Sequence, residues 1–318
     1  CMSKVCLVID GNNTAHRAYH AFQSSGLVDG DGNPTWAVHG FFRIVATTLT
    51  KVLQRYGRVD YLCVAFDDPE GSVRKKVFAG YKATRPEKDS DTITQIDECL
   101  LLSGLVGLPT WIIRGREADD VVASVAKACE RDEVRCVIST NDRDALGLVS
   151  DSVTVYKAGP KGTAIWIGPA ELQESYGVAA TNVTGQPADT AADLLNVPQY
   201  TCLAAMRGDT SDNIDGVKGI GPAKAAKMLA TFGSVEAALA DFPGLEKAVG
   251  KAGAASLRDN YSTYARNIRL MMPILDEPEI DPALSLTHVN ADNVRNLLLA
   301  RGLENSARAL YNALQAAQ

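Results

Sequence analysis

The chain has 318 residues, of which 46% are hydrophobic and 22% are charged, a balance that favours a folded protein of about two domains. The formal net charge is −6, so composition alone gives no indication of nucleic-acid binding, which usually accompanies a basic excess. No apolar run approaches the roughly 18 residues of a membrane span, and the sequence shows no signal peptide. The seven cysteines lack a Cys-x-x-Cys pair, and we therefore expect a reducing, cytoplasmic location.

The first half of the chain alternates short apolar runs with helical patterns. Buried parallel strands are predicted over residues 5–9, 61–66, 110–113 and 135–139. Helices are predicted over residues 35–54, 92–102 and 118–130. Residues 153–156 and 164–167 are typical of a hairpin. This alternation predicts an α/β domain over residues 1–177, with a central, mostly parallel sheet flanked by helices.

The pattern changes after residue 177. Residues 178–197 are predicted to form a loop or insertion. Short helices cut by glycines follow, with predicted bounds of 223–231, 235–240 and 260–272. A linker rich in Pro, Asp and Glu covers 273–282, ahead of two helices over 290–301 and 304–316. We expect a helical module over 198–272 and, over 273–318, a linker and helices that pack back on the core.

Acidic residues follow all four predicted strands. They are Asp10, Asp67, Glu117, Asp119, Asp120, Asp142 and Asp144. The carboxyl ends of parallel strands meet at one edge of a sheet, where open α/β sheets bind ligands. Any single acid is explained as well by capping of the helix that follows it. Clustered carboxylates repel one another, however, so the whole set indicates bound divalent cations, for which oxygen atoms are the preferred ligands.

Two more acids precede a glycine-rich turn in the second half. Asp209 and Asp212 are three residues apart, and on a helical turn they would share a face and could complete the cluster. The turn over 216–223 combines three glycines with Pro222, which suits a helix N-terminus that binds an anion. Three lysines lie beside it, Lys218, Lys224 and Lys227. An ordinary helix–helix turn would explain the glycines alone, but their position after the acids favours phosphate binding.

Residues 71–88 form a basic segment with six cations and one acid. The cations are Arg74, Lys75, Lys76, Lys82, Arg85 and Lys88. Phe78 and Tyr81 add aromatic surface among them. Most charge runs are solvated loops. Charge together with stacking surface, close after Asp67, favours a groove for single-stranded nucleic acid.

Taken in order, these segments resemble the bacterial 5′ nucleases, the flap endonucleases and 5′→3′ exonucleases of the kind found at the N-terminus of DNA polymerase I. The resemblance covers nearly the whole chain and depends on segments 8–11, 17–19, 65–67, 81–85, 116–120, 141–144 and 208–221. It implies a Rossmann-like (PIN-type) nuclease core with a basic arch over 71–95, joined to a helix–hairpin–helix (helix–three-turn–helix) DNA-binding module. It also implies a stand-alone nuclease or an excised domain, because no polymerase module follows in the sequence.

The resemblance implies a role for each matching residue. The implied metal ligands are Asp10, Asp67, Glu117, Asp119, Asp120, Asp142, Asp144, Asp209 and Asp212. Lys82 and Arg85 would be catalytic residues that contact the scissile phosphate. The implied DNA contacts are Arg17, Arg74, Lys75, Lys76, Tyr81, Gly216, Lys218, Gly219, Gly221 and Lys224, with Tyr81 stacked on a base. The implied cofactors are two or more Mg²⁺ or Mn²⁺ ions, with K⁺ at the hairpin.

The resulting hypothesis is hydrolysis of DNA phosphodiester bonds by two metal ions about 4 Å apart. The enzyme would be a monomer that acts on a 5′ flap, nick or 5′ end in replication and repair, including removal of RNA primers, with a DNA polymerase as partner. Two alternatives stay open: an RNA-directed nuclease, and a DNA-structure-binding protein without catalysis. The glycine turn favours duplex DNA over the first, and the acid set favours catalysis over the second. Removing nine negative charges from −6 leaves +3 on the rest, so the acidic total does not oppose DNA binding.

Overall fold

The computed structural model describes residues 3–85, 89–186, 194–276 and 284–318. Its main sheet contains β1 (Val5–Asp10), β2 (Tyr61–Ala65), β3 (Thr110–Trp111), β4 (Arg135–Ser139), β5 (Val153–Ala158) and β6 (Ala164–Ile167). The order is β3-β2-β1-β4-β5-β6, and every neighbouring pair is parallel except β5 with β6. Because β1 lies between β2 and β4, where the strand order reverses, the loops after these strands open into one crevice.

Helices cover both faces of this sheet. In the first half they are α1 (Gly11–Phe22), α2 (Trp36–Tyr56), α3 (Arg74–Val77), α4 (Ser90–Leu105), α5 (Ala118–Arg131) and α6 (Pro169–Tyr176). Successive side chains of a strand point to opposite faces. Leu7 and Ile9 of β1 are therefore buried in one core cluster with Phe41 of α2, while Cys6 and Val8 are buried in another with α5. The result is three layers, with the sheet between two helical layers.

The second half forms a helical module that begins against the sheet. It contains α7 (Gln199–Arg207), α8 (Pro222–Phe232), α9 (Val235–Ala240), α10 (Phe242–Val249), α11 (Lys251–Asp259) and α12 (Tyr261–Met271). A two-residue antiparallel ladder of β7 (Gly208–Asp209) and β8 (Ile214–Asp215) follows α7. The buried amide of Asn267 donates to the carbonyls of Ala205 at 2.8 Å and Asp215 at 2.7 Å, and so joins α12 to α7 and to the ladder.

The last two helices, α13 (Ala291–Ala300) and α14 (Glu304–Ala317), lie on the α2 side of the sheet. Leu310 and Leu314 of α14 are fully buried in the same cluster as Leu49 of α2. The Ser306 hydroxyl donates to the carbonyl of His39 on α2 at 2.9 Å. The chain reaches this position beside β2, where the amide of Leu62 donates to the carbonyl of Leu284.

The predicted fold class is confirmed, and the differences are local. The sheet, its hairpin and the long helices occur where the patterns predict them, although β3 has two residues instead of four. The patterns gave no bounds for α1, α3, α6, α7, α10 and α11, because these helices are short or polar in their first turn. Residues 187–193 of the predicted insertion and 277–283 of the predicted linker lie outside the described residues. Within the described ranges, no helix has the length and apolar character needed to cross a bilayer.

Candidate active site

A cavity of about 370 Å³ opens at the carboxyl ends of β1, β2 and β4. Seven of the nine predicted acidic ligands line it: Asp10, Asp67, Glu117, Asp119, Asp142, Asp144 and Asp212. Two predicted catalytic cations, Lys82 and Arg85, line it as well. The local reason is the parallel sheet: acids that are far apart in sequence follow adjacent strands and reach the same crevice.

Asp10 is both a helix cap and part of the acid cluster. Its Oδ1 accepts from the amide of Asn13 at 2.9 Å, and its Oδ2 accepts from the Thr140 hydroxyl at 2.8 Å. Burial raises the pKa of Asp10 to about 7, although these two hydrogen bonds act to lower it. The negative charges of Asp67 and Asp142 add to the effect of burial. Asp10 therefore caps α1, as the simpler explanation from the sequence predicts, and its carboxylate also lies in the acid-lined cavity.

The other carboxylates also repel one another. Burial, reinforced by Asp10 and Asp142, raises the pKa of Asp119 well above its ordinary value. Burial also raises the pKa of Asp144 to about 7, with further contributions from Asp142, Asp209 and Asp212. Such a group of acids is costly unless positive charge compensates it.

Whether these residues suit a divalent cation depends on their free oxygen atoms. Among the described residues, Asp144 Oδ1 is buried without a hydrogen-bond partner, which marks an acceptor available to a further group. Carboxylate oxygens are the ligands that Mg²⁺ and Mn²⁺ prefer, so the donor set fits. In the described ranges, however, no three Asp, Glu, His or Cys side chains are arranged so that they could hold a metal ion in this conformation.

Cations of the basic segment occupy part of the acid cluster instead. Lys82 Nζ lies 2.7 Å from Glu117 Oε1, and the Arg85 guanidinium is paired with the Asp212 carboxylate. The backbone supports the first pair: Lys82 has a φ of 57°, and its amide donates to the carbonyl of Asp212 at 3.0 Å. Residues 80–85 and the 209–213 turn therefore close one side of the cavity together.

Asp120 is a correction to the predicted ligand set. Its side chain is fully buried outside the cavity, where Oδ1 and Oδ2 accept from Arg74 at 2.6 and 2.7 Å. The same carboxylate accepts from the amides of Glu117 and Ile274. These four hydrogen bonds occupy both carboxylate oxygens and join α3, α5 and the segment after α12. We therefore assign Asp120 a structural role.

Arg74 and Tyr81 are corrections to the predicted DNA contacts. Arg74 is 3% exposed, and its guanidinium donates to Asp120 and to the carbonyls of Leu270 and Met272. Tyr81 is 4% exposed, its hydroxyl donates to Glu117 at 3.0 Å, and burial raises its pKa. Both side chains border the cavity, but they are almost fully buried and their polar atoms are bonded to protein groups, so neither presents a free surface to a nucleic acid in this conformation.

Asp209 is the third correction. The prediction placed it on the same face as Asp212, but Asp209 ends β7 and caps the short turn Thr210–Asp212, accepting from the Ser211 amide at 2.8 Å. Of these two acids, Asp212 lines the cavity and Asp209 does not. Thr210–Asp212 forms a single 3-10 turn and no α-helix, and Asn213 ends it in the left-handed region with a φ of 57°.

The remaining predicted DNA contacts lie at the surface or close to it. Lys75, Lys76, Lys218 and Lys224 are exposed, and Arg17 is half-buried. Gly219 has a φ of +80° with open space around it, and Gly221 is equally open before α8. Gly216 differs: a Cβ there would lie 2.3 Å from the carbonyl oxygen of Arg207, so it serves packing.

Several polar residues near the acids were missed from the sequence. Asn12 accepts from the Asp67 amide, Thr140 donates to Asp10, and Asn13 accepts from the Asn141 amide, so these side chains fix the acidic loops. Lys157 and Arg207 place positive charge close to Asp144. The only available signal for Asn12, Asn13 and Thr140 was their position next to the strand ends. Lys157 and Arg207 had no such signal.

The site defines a class: an α/β protein with an acid-lined crevice and flanking cations, joined to a helical module. Comparison with known proteins identifies the family within this class. Residues 5–177 match the family model for the 5′–3′ exonuclease N-terminal resolvase-like domain, and residues 195–292 match the 5′–3′ exonuclease C-terminal SAM fold. The chain therefore belongs to the 5′–3′ exonuclease family and is a nuclease, which confirms the resemblance seen in its sequence.

Similar full-length proteins are bacterial DNA polymerases I. The chain is 32% identical over 314 residues to the one from Mycobacterium leprae, covering 98% of this chain and 32% of that protein. It is 37% identical over 243 residues to the thermostable DNA polymerase I of Thermus aquaticus, covering 76% of this chain and 26% of that protein. The chain thus spans between about a quarter and a third of the length of these curated relatives.

Solved structures share the fold at lower identity. The phage T5 5′-exonuclease, solved with divalent zinc ions, has a TM-score of 0.61 at 22% identity, covering 99% of this chain and 100% of that one. The catalytic core of Rad2, solved in complex with a DNA substrate, has a TM-score of 0.56 at 18% identity, covering 98% and 93%. These likenesses bear out the arrangement of the sheet and helices.

Proposed function

We propose that this protein is a structure-specific 5′ nuclease that hydrolyses DNA phosphodiester bonds at 5′ flaps, nicks and 5′ ends, with Mg²⁺ or Mn²⁺ ions as cofactors. The observation that carries the proposal is the cavity itself: seven carboxylates and three cations, Arg74, Lys82 and Arg85, line one crevice of about 370 Å³. The phage T5 5′-exonuclease with its bound divalent zinc ions and the Rad2 catalytic core with its DNA substrate support it.

The acids that would hold divalent ions are the cavity carboxylates for which the described residues show no salt bridge. These are Asp10, Asp67, Asp119, Asp142 and Asp144, with Glu117 and Asp212 available when their cations move. When bound, two such ions act as Lewis acids that lower the pKa of water and stabilise the attacking and leaving oxygens. Asp120 and Asp209 are not in the proposed set.

Lys82 and Arg85 are the proposed phosphate contacts. Both line the cavity and are held by carboxylates, so a phosphate oxygen competes with Glu117 and Asp212 for the same donors. In the new arrangement their positive charges neutralise the charge that develops on the phosphate during hydrolysis. Their preorganisation depends on the turn over 80–85, whose amides and carbonyls bond to the 209–213 turn.

The open turn over 216–221 is the proposed site for the duplex backbone. Gly219 and Gly221 leave free space, and α8 begins at Pro222 with exposed Lys218 and Lys224 nearby. Backbone N–H groups at a helix N-terminus suit phosphate, and K⁺ is proposed at the same turn. We further propose that the protein acts as a monomer in the cytoplasm, in replication and repair, beside a DNA polymerase activity such as its relatives' names describe.

The test is product mapping on a 5′-labelled flap with Mg²⁺. Asp142→Asn removes one cavity carboxylate while keeping its shape, and we expect its cleavage rate to fall by at least about 100-fold. Asp151→Asn is the matched control, because Asp151 is exposed in the turn before β5 and does not line the cavity. Undiminished cleavage by Asp142→Asn would overturn the assignment of the cavity as the active site.

Two further arms separate the alternatives. Binding that persists in EDTA without cleavage in Mg²⁺ would identify a DNA-binding protein without catalysis. Faster cleavage of an all-RNA substrate than of a DNA flap of the same shape would identify an RNA-directed nuclease. We expect cleavage at the junction of the DNA flap, abolished by EDTA and restored by Mg²⁺ or Mn²⁺.

A further inference from the structure

The carboxylate of Glu117 is held by neighbouring side chains at both of its oxygen atoms. Its Oε1 accepts from Lys82 Nζ at 2.7 Å, and its Oε2 accepts from the Tyr81 hydroxyl at 3.0 Å. Arg74 Nη1 lies farther from Oε2, at 3.4 Å. Glu117 is 7% exposed and lines the cavity, so these contacts decide which of its oxygens is available to a bound ion.

Tyr81 and Lys82 hold Glu117 in different ways. The Lys82 side chain is partly exposed and its ammonium is a cation, so a divalent cation that enters the cavity competes with it for Oε1. Tyr81 is a neutral donor that is 4% exposed, and its ring packs in a small hydrophobic cluster with Ile214 and Leu270. The Tyr81 hydroxyl therefore stays on Oε2 when Lys82 leaves Oε1.

Backbone hydrogen bonds on both sides of Tyr81 fix its place. The carbonyl of Gly80 accepts from the Asn213 side chain at 2.8 Å. The amide of Lys82 donates to the carbonyl of Asp212 at 3.0 Å. The Tyr81 hydroxyl thus reaches the cavity from a turn that is bonded to the 209–213 turn at the residue before it and at the residue after it.

We propose that Tyr81 is a positioning residue, whose buried hydroxyl orients the Glu117 carboxylate so that Oε1 binds a divalent cation in exchange for Lys82. Hydrogen bonds from neighbouring groups commonly orient the carboxylates that bind metal ions in this way. The inference rests on the proposed function, since Glu117 needs this orientation only if the cavity binds cations. It gives Tyr81 a different role from the base stacking that the sequence resemblance implies.

The test measures Mn²⁺ binding by electron paramagnetic resonance, with the full chain free of DNA. Tyr81→Phe removes the hydroxyl and keeps the ring, and we expect Mn²⁺ affinity to fall about 10-fold, as for other groups that orient metal ligands. A stacking role alone would leave Mn²⁺ affinity unchanged, because phenylalanine keeps the aromatic face. Circular dichroism of the same samples checks that the variant is folded.

A matched control tests whether the loss of any such hydrogen bond has this effect. The Tyr261 hydroxyl donates to Glu236 Oε1, also at 3.0 Å, and neither residue lines the cavity. Tyr261→Phe therefore removes the same kind of bond from the helical module, and we expect its Mn²⁺ affinity to stay within about threefold of the parent. An equal fall in both variants would overturn the proposal.

A double-mutant cycle tests whether the hydroxyl acts through Glu117. Glu117→Gln should itself lower Mn²⁺ affinity, and adding Tyr81→Phe should then change it by less than about threefold, because the carboxylate that the hydroxyl orients is already gone. A further fall of about 10-fold in the double variant would overturn the positioning role, as would parent-like affinity in Tyr81→Phe or in Glu117→Gln. These outcomes leave the proposed function intact. Absence of Mn²⁺ binding by the parent protein would overturn both.

Discussion

The substitution Asp120→Asn separates a structural acid from a proposed metal ligand. Asp120 is fully buried, and its two oxygens accept four hydrogen bonds, two from Arg74 and one each from the amides of Glu117 and Ile274. Asparagine keeps the shape but has one acceptor oxygen, so its NH₂ group must face one guanidinium N–H and one backbone N–H. The Arg74 guanidinium, 3% exposed, also loses its bidentate counter-charge.

The expected cost follows from these contacts. Breaking a buried ion pair by removing one charge costs about 3–5 kcal/mol. Glu117 Oε2 remains 3.4 Å from Arg74 Nη1, and the carbonyls of Leu270 and Met272 still accept from Arg74, so we expect the lower half of that range. For a chain of this size about 3 kcal/mol corresponds to a fall in Tm of roughly 4–5 °C.

Urea unfolding followed by circular dichroism measures the free energy of unfolding, and Mn²⁺ binding is measured on the same samples. Asp142→Asn is the comparison, because it removes a carboxylate from the repelling cluster and should leave stability unchanged or slightly higher. The expected pattern is therefore crossed: Asp120→Asn loses stability, and Asp142→Asn loses Mn²⁺ affinity. The reasoning is refuted if Asp120→Asn unfolds within about 1 kcal/mol of the parent while binding Mn²⁺ at least 10-fold more weakly.

Three more outcomes are expected. Lys82→Ala and Arg85→Ala should each lower kcat on a 5′ flap by about 100-fold or more, with a smaller change in KM, since both act on charge that develops on the phosphate. An unchanged kcat with a raised KM would contradict this expectation. Gly216→Ala should destabilise the protein by more than Gly219→Ala, which meets open space and costs about 1 kcal/mol of left-handed backbone strain, and parallel thermal melts compare the two. Mn²⁺ at 100 times its Kd should stabilise the parent by about 2.7 kcal/mol in a thermal melt, reversibly with EDTA, and an unchanged Tm would argue against cation binding at the cavity.

Periodicity and strand-end chemistry in the sequence determined the class of the protein. A buried parallel strand is a continuous apolar run, and its end is marked by the acid that follows, so the sheet and most of the acid crevice were predictable from local patterns. The order of these segments, with the glycine turn directly after Asp212, was enough to indicate the family. Helices such as α1 were not predicted because their first turn is polar and their stability depends on packing.

Only the tertiary structure decided what each charged residue does. Arg74 lies in the basic segment beside Lys75 and Lys76, yet it is buried on Asp120 while the two lysines are exposed. A sequence pattern records which charges are near one another along the chain, but the cost of burying a charge depends on partners that are distant in sequence. Arg74 meets carbonyls nearly 200 positions later, at Leu270 and Met272, and Asp120 meets Ile274.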